Sequence, residues 1–174
     1  FGTDLPSGAI GRLAPNGTFR MFSLPTLNSY PKQLTLGPDG NLWFTLEQGY
    51  GKAMHGIVTQ PRFNRISGEI GKITPQGAIT TFVLPSSSAT ANSITTGPDG
   101  NLWFTEVVSA GNQVVTKVGR LTPAGNFSEF TPGGLNGSIS IGPIVAGPDR
   151  KLWFGIAGVD ANNRVYGKMG QITT

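Results

Sequence analysis

Apolar and polar residues alternate along this chain in short runs, and glycine and proline separate the runs. Thr18-Phe-Arg-Met-Phe22, Ile79-Thr-Thr-Phe82 and Phe127-Ser-Glu-Phe130 read as strands with one packed face and one wet face. A second kind of run, Leu-Trp-Phe-Thr, is built from strong strand formers. No segment carries a helical period, so the pattern predicts an all-β chain.

The runs belong to a repeat. Gly37-Pro-Asp-Gly-Asn-Leu-Trp-Phe-Thr45 returns as Gly97-Pro-Asp-Gly-Asn-Leu-Trp-Phe-Thr105 and as Gly147-Pro-Asp-Arg-Lys-Leu-Trp-Phe-Gly155. Interleaved with it are Gly11-Arg-Leu-Ala-Pro-Asn-Gly17, Gly71-Lys-Ile-Thr-Pro-Gln-Gly77 and Gly119-Arg-Leu-Thr-Pro-Ala-Gly125, with a shortened copy at Gly170-Gln-Ile-Thr-Thr174. Each unit reads as four strands, A to D. Strand A precedes Gly-Pro-Asp-Gly, where proline sets the first corner of the turn and glycine accepts positive φ. Strand B is Leu-Trp-Phe-Thr, strand C holds Gly-Arg/Lys-Ile/Leu, and strand D follows the Pro-X-Gly turn. Short strands with a glycine and aromatic signature in every unit predict a β-propeller of four-stranded antiparallel blades.

Along the chain the order is C-D, A-B-C-D, A-B-C-D, A-B-C, a single blade array. Its parts are strands C-D at 9–25, a blade at 30–85, a blade at 91–132 and a partial blade at 142–174. About three blades are too few to close a ring of four to eight. The expectation is therefore a partial ring, completed by the remaining blades of a longer chain or by copies of itself. Open strand edges invite such pairing, as a homo-oligomer or a filament.

Composition narrows the functional classes. Glycine (26) and proline (13) are abundant and charged residues make up only 13%, which suits many turns rather than a disordered chain. The net charge of +4 comes from scattered lysines and arginines, without the basic stripe that nucleic-acid binding needs. No apolar run reaches the roughly 20 residues of a membrane span. There are no cysteines, which removes disulfides and thiolate chemistry. The chain starts at Phe1, as a processed, cloned or fragmentary product would, and an extracellular or periplasmic location is the expectation. Sequons at Asn16, Asn126 and Asn136 matter only in a eukaryotic secretory pathway.

The two repeated phrases resemble the blade signature of virginiamycin B lyase and its relatives, across nearly the whole chain except Leu46 to Glu69 and Val107 to Thr116. The resemblance implies a seven-bladed ring. In the true lyase it also implies a magnesium-dependent elimination that opens cyclic streptogramin B antibiotics, with histidine and glutamate residues around the central cavity. This chain departs from that pattern in having about half the blades and one histidine, His55. Elimination needs a base that works near neutral pH and charge stabilisation of the kind a metal supplies. One histidine and nine acidic residues furnish such parts only by coincidence. No cofactor is expected, and magnesium enters only with the lyase reading.

The catalytic candidates are His55, Glu47 and Glu106. Glu106 ends strand B and reads as a solvated strand end, with a cation-binding place at the channel mouth as the alternative. Glu47 sits one residue further along its own blade, and Gly155-Ile156 takes the Thr-Glu place in the third. Asp39, Asp99 and Asp149 read as turn residues rather than ligands. Trp43, Trp103 and Trp153 read as packing between blades rather than platforms for sugars. Insertions at 46–69 and 106–118 lengthen the B–C connection, as loops or as extra hairpin. Within the first, Tyr50, Arg62, Phe63 and Arg65 mix aromatic and basic groups suited to a ligand or partner. The leading expectation is a non-catalytic propeller module that binds a partner or self-assembles. The alternatives are a fragment of a streptogramin B lyase and a carbohydrate- or cell-wall-binding propeller.

Overall fold

A computed structural model describes residues 8–26, 29–48, 68–86, 88–110, 113–133, 139–159 and 162–174. Among these the chain forms thirteen strands: β1 (Ala9–Leu13), β2 (Phe19–Ser23), β3 (Ser29–Leu36), β4 (Leu42–Gln48), β5 (Glu69–Ile73), β6 (Ile79–Val83), β7 (Ala89–Thr96), β8 (Leu102–Ala110), β9 (Gln113–Leu121), β10 (Phe127–Phe130), β11 (Ile139–Ala146), β12 (Lys151–Val159) and β13 (Val165–Thr173). They make four antiparallel sheets, β1-β2, β3-β4-β5-β6, β7-β8-β9-β10 and β11-β12-β13. The chain is a set of propeller blades, two with four strands, flanked by one with two and one with three. The 106–118 stretch resolves as hairpin length, since β8 and β9 stay in register from Leu102↔Leu121 to Ala110↔Gln113.

The blades touch along their A strands, where β7 lies against both β3 and β11. Each A strand slips register in mid-course, between Pro31 and Leu34, Ala91 and Ser93, and Ile141 and Ile144. A bulge frees a backbone N–H, and the preceding blade takes up two of these. The Ile94 amide donates to Gln33 Oε1 at 3.1 Å and the Ile144 amide to Ser93 Oγ at 3.0 Å. The bulge thus stitches blade to blade.

The Gly-Pro-Asp turn does more than reverse the chain. Asp39 Oδ1 accepts from the Trp43 indole at 2.9 Å, Asp99 Oδ1 from Trp103 at 3.0 Å and Asp149 Oδ1 from Trp153 at 3.1 Å. In Asp39 and Asp99 burial acts to raise the carboxyl, but bonds from the tryptophan and from Asn41 or Asn101 outweigh it and hold the group below its usual value. The aspartates are therefore turn residues that also clamp the tryptophan rotamer. Trp43 stacks on Phe82 of its own blade at 5.4 Å, and Trp103 on Phe130 at 5.6 Å.

Every internal contact between full sheets follows one rule. Trp43 and Ile70 of one blade pack on Ile94, Leu102, Phe104 and Leu121 of the next. Trp103 and Val118 pack in the same way on Ile144, Leu152 and Phe154. A tryptophan face meets a leucine–phenylalanine face. Glycine makes room for it within each blade: a Cβ on Gly71 or Gly119 would run into the ring of Phe44 or Phe104.

The turn glycine of the repeat is Arg150 in the last copy, with φ of 60°, where Gly40 and Gly100 take φ of 75° and 72°. A side chain in this left-handed region costs roughly 1–2 kcal/mol. Arg150→Gly is accordingly expected to stabilise the chain by about 1 kcal/mol, read as a shift of the urea midpoint at constant slope. An unchanged or lower midpoint counts against a strained turn.

Candidate functional site

The three catalytic candidates do not come together. His55, with Tyr50, Arg62, Phe63 and Arg65, lies outside the described residues. Glu47 stands half-exposed at the end of β4, opposite Tyr30, and pairs with Lys32 at 2.7 Å, an exposed ion pair of the kind that contributes about 1 kcal/mol at most. Burial removes Trp43 and Trp103 from any role as open stacking platforms.

Glu106 corrects the expectation of a solvated strand end, because its side chain is completely buried. Strand register explains why. Leu46 pairs with Glu69, Glu106 with Lys117 and Ile156 with Lys168, so these three residues hold the same place in successive blades. Leu46 and Ile156 are buried and apolar there. Of these three equivalent places, only the one in the β7-β8-β9-β10 blade carries a carboxyl group.

Its neighbours are polar. Lys117 pairs with Glu129 at 2.5 Å, and Ser86 Oγ donates to Glu129 Oε2 at 2.7 Å while accepting from Lys117 Nζ at 2.8 Å. Neither oxygen of Glu106 meets a donor, and Oε1 of Glu129 meets none either. A proton held on Glu106 gives it a donor to offer the Glu129 carboxylate. Burial first, and then the charge of Glu129, push the Glu106 carboxyl up to about 7 against the opposing pull of Lys117. In Glu129 burial also acts upward, but bonds from Lys117 and Ser86 prevail and hold it below its usual value.

A carboxyl poised near neutrality has the right affinity for general acid or base work, yet this one is sealed inside the blade. Its donor set does not suit magnesium. The Lys117 ammonium already pairs with Glu129, and no group of three histidine, aspartate or glutamate side chains converges among the described residues. Sequence reasoning missed Glu129, Lys117 and the buried Glu69, which accepts from Thr26 Oγ1 at 3.4 Å. Aligning the repeats residue by residue exposes the Leu46–Glu106–Ile156 mismatch, but only strand register places Lys117 and Glu129 beside it.

Two further surfaces stand out. On the β11-β12-β13 sheet, Met169 holds the place of Ile70 and Val118 and is 68% exposed, where those two are fully buried. On the β3-β4 side, Leu34 holds the place of Ile94 and Ile144 and is 44% exposed, against 1% and 0%. The first is a tryptophan face, and the second is the part of a leucine–phenylalanine face that lies beyond Phe44 and Ile73, which Ile10 and Leu24 cover.

The buried proton has a pH signature. At low pH, folded and unfolded chains both hold it. Between the ordinary glutamate value of 4.5 and about 7 the unfolded chain releases it first. Stability therefore falls as pH rises through this window, by up to about 1.4 kcal/mol per pH unit. Glu106→Leu, which restores the residue type of the other blades, is expected to abolish that slope and raise stability above pH 7 in urea titrations. A variant with the parent's pH slope rules the buried proton out.

Comparison with known proteins follows the same lines. A model of the virginiamycin B lyase family matches residues 58–174. Virginiamycin B lyase of Nocardia farcinica is 30% identical over 120 residues, 69% of this chain and 35% of that protein. The crystal structure of virginiamycin B lyase from Staphylococcus aureus superposes with a TM-score of 0.63 at 32% identity, over 95% of this chain and 50% of that one. A catalytically inactive histidine-to-alanine variant of the Staphylococcus aureus enzyme, crystallised with quinupristin, gives 0.61 at 33% identity, over 91% and 47%. The chain spans half or less of the length of these relatives. Its repeated phrases, blade topology and matched residues agree: the chain belongs to the virginiamycin B lyase family.

Proposed function

We propose that this chain acts as a non-catalytic propeller segment that joins other blades through its two open faces, building a self-associated or partner-bound assembly. The observation that carries this reading is the exposure of Met169 and Leu34 at places where the repeat otherwise buries its side chains. Val145, 55% exposed, extends the first face, and Leu42, 41% exposed, extends the second. Burying each such side chain stabilises a contact by about 1.5–3 kcal/mol. The exposed parts are unlike, one from a tryptophan face and the other from the portion of a leucine–phenylalanine face that β1-β2 leaves open, and unlike surfaces favour a head-to-tail arrangement of copies.

Family membership favours a second reading, in which the chain supplies about half of a streptogramin B lyase ring. Incubation with quinupristin and magnesium separates the two. Ring opening supports the lyase, and an intact lactone at high protein concentration supports the module.

Sedimentation velocity over a range of concentrations tests the module. The parent chain is expected to associate reversibly, and Met169→Lys or Leu34→Lys to weaken the association at least about tenfold, equivalent to about 1.4 kcal/mol. A chain that stays monomeric throughout contradicts the reading.

A further inference from the structure

The polar cluster around Glu106 stands at the root of a projecting hairpin and beside a strained connection. Beyond the Glu106↔Lys117 pair, β8 and β9 stay in register to Ala110↔Gln113, whereas β7 reaches only Val108 and β10 only Val118. The connection from β6 to β7 lies against this hairpin. The Ala89 amide donates to the Ser86 carbonyl at 3.2 Å, and the Ser109 amide to the Ser88 carbonyl at 3.3 Å. Ser88 sits at φ of 59°, a left-handed conformation that residues with a side chain avoid. Two positions before it, the Ser86 hydroxyl is tethered to Lys117 and Glu129. At the preceding blade junction Thr26 takes the place of Ser86, Glu69 that of Lys117 and Thr81 that of Glu129. The lysine with two acids is therefore a feature of one junction.

Lys117 has two acids within reach. Glu106 lies directly across from it in the β8-β9 ladder, where opposite side chains stand closest. Glu129 pairs with Gly119, so it is diagonal to Lys117 and a longer reach. The ammonium nevertheless bonds Glu129, at 2.5 Å, and both oxygens of Glu106 are without a partner. A neutral Glu106 accounts for this preference, because it offers the ammonium no charge.

We propose that Lys117 is the moving arm of a proton-operated latch between two blades. With Glu106 neutral, Lys117 holds Ser86 and Glu129 and keeps the strained connection closed on the hairpin. When Glu106 gives its proton to water, the ammonium swings to its opposite neighbour. Ser86 then loses its donor, and the connection relaxes away from the base of the hairpin. Two carboxylates beside one ammonium leave a buried negative charge that desolvation penalises, and opening to water relieves it. Burial and the charge of Glu129 push the Glu106 carboxyl up to about 7, so the latch closes in mild acid and opens in mild alkali. Among the described residues, the charges that face Glu106 are Lys117 from β9 and Glu129 from β10. β7 and β11, which also pack on β8, carry no titratable side chain. In the preceding blade Glu47 is engaged by Lys32, Lys72 lies beside Asp39, and Glu69 bonds Thr26.

Hydrogen exchange of the 174-residue chain at pH 6 and pH 8, expressed as protection factors, reads the latch at the amides of Ala89 and Ser109. From the lower to the higher pH both are expected to lose at least about tenfold more protection than the Phe104 amide in the middle of β8. Glu106→Gln, neutral at either pH, is expected to keep both amides protected throughout. Lys117→Met, which lacks the arm, is expected to leave both unprotected throughout. A merely structural role for these side chains gives no such dependence on pH. Carbon-13 shifts of the Glu106 carboxyl and the Lys117 side chain follow the same event in the parent, without any substitution, and are expected to change with one shared midpoint. Protection at Ala89 and Ser109 that tracks Phe104 at both pH values overturns the latch. A pH-dependent loss that persists in Glu106→Gln overturns it too, as does a Glu106 titration that leaves the Lys117 shifts unmoved.

Discussion

The structure depends on one contact, repeated: the tryptophan face of a blade laid on the leucine–phenylalanine face of the next. No sheet here has a core of its own, because a single antiparallel sheet has two surfaces and nothing between them. Burial appears only where sheets stack, which is why β8 is buried on both surfaces from Leu102 to Glu106 while β12 alternates buried and half-exposed residues. Stability in such an array is a sum of neighbour contacts. The end blades hold half of what the middle ones hold.

That constraint also sets what the rest of the sequence must do. The Asp–Trp clamp fixes the indole so that it projects flat toward the neighbour. Glycines on strand C leave space for the phenylalanine of strand B. Bulges on strand A free backbone donors that the adjoining blade accepts. Each recurring residue of the repeat thus serves the blade contact. Recurrence therefore marks architecture, and a departure from it marks something specific to one blade. Glu106 is the clearest departure, a core position carrying a proton-holding carboxyl, and natural chains often retain such local misfits for function.

Much of this was legible from the amino-acid order. Two interleaved phrases specify strands, turns and their sequence because proline, aspartate and glycine each allow few backbone conformations. The roles expected of Asp39, Asp99, Trp43 and Trp103 follow from the same phrases. Three-dimensional register was not legible. Glu106 reads as the end of a strand because Thr105 closes the repeated phrase, whereas β8 continues to Ala110 and keeps it inside. Lys117 and Glu129 lie 11 and 23 positions further on, and only the pairing of β8, β9 and β10 brings them to it. The exposure of Met169 and Leu34 follows from their blade's place in the array, which no local pattern encodes.

Hydrogen exchange on the chain, diluted until it is monomeric, tests the dependence on stacked faces most directly. Backbone amides of β8 should exchange slowest, those of β12 faster, and those of β1, β2 and β13 faster still by orders of magnitude, although all are hydrogen-bonded strands. Equal protection in β8 and β13 would mean that each sheet is stable by itself, and the account would fail.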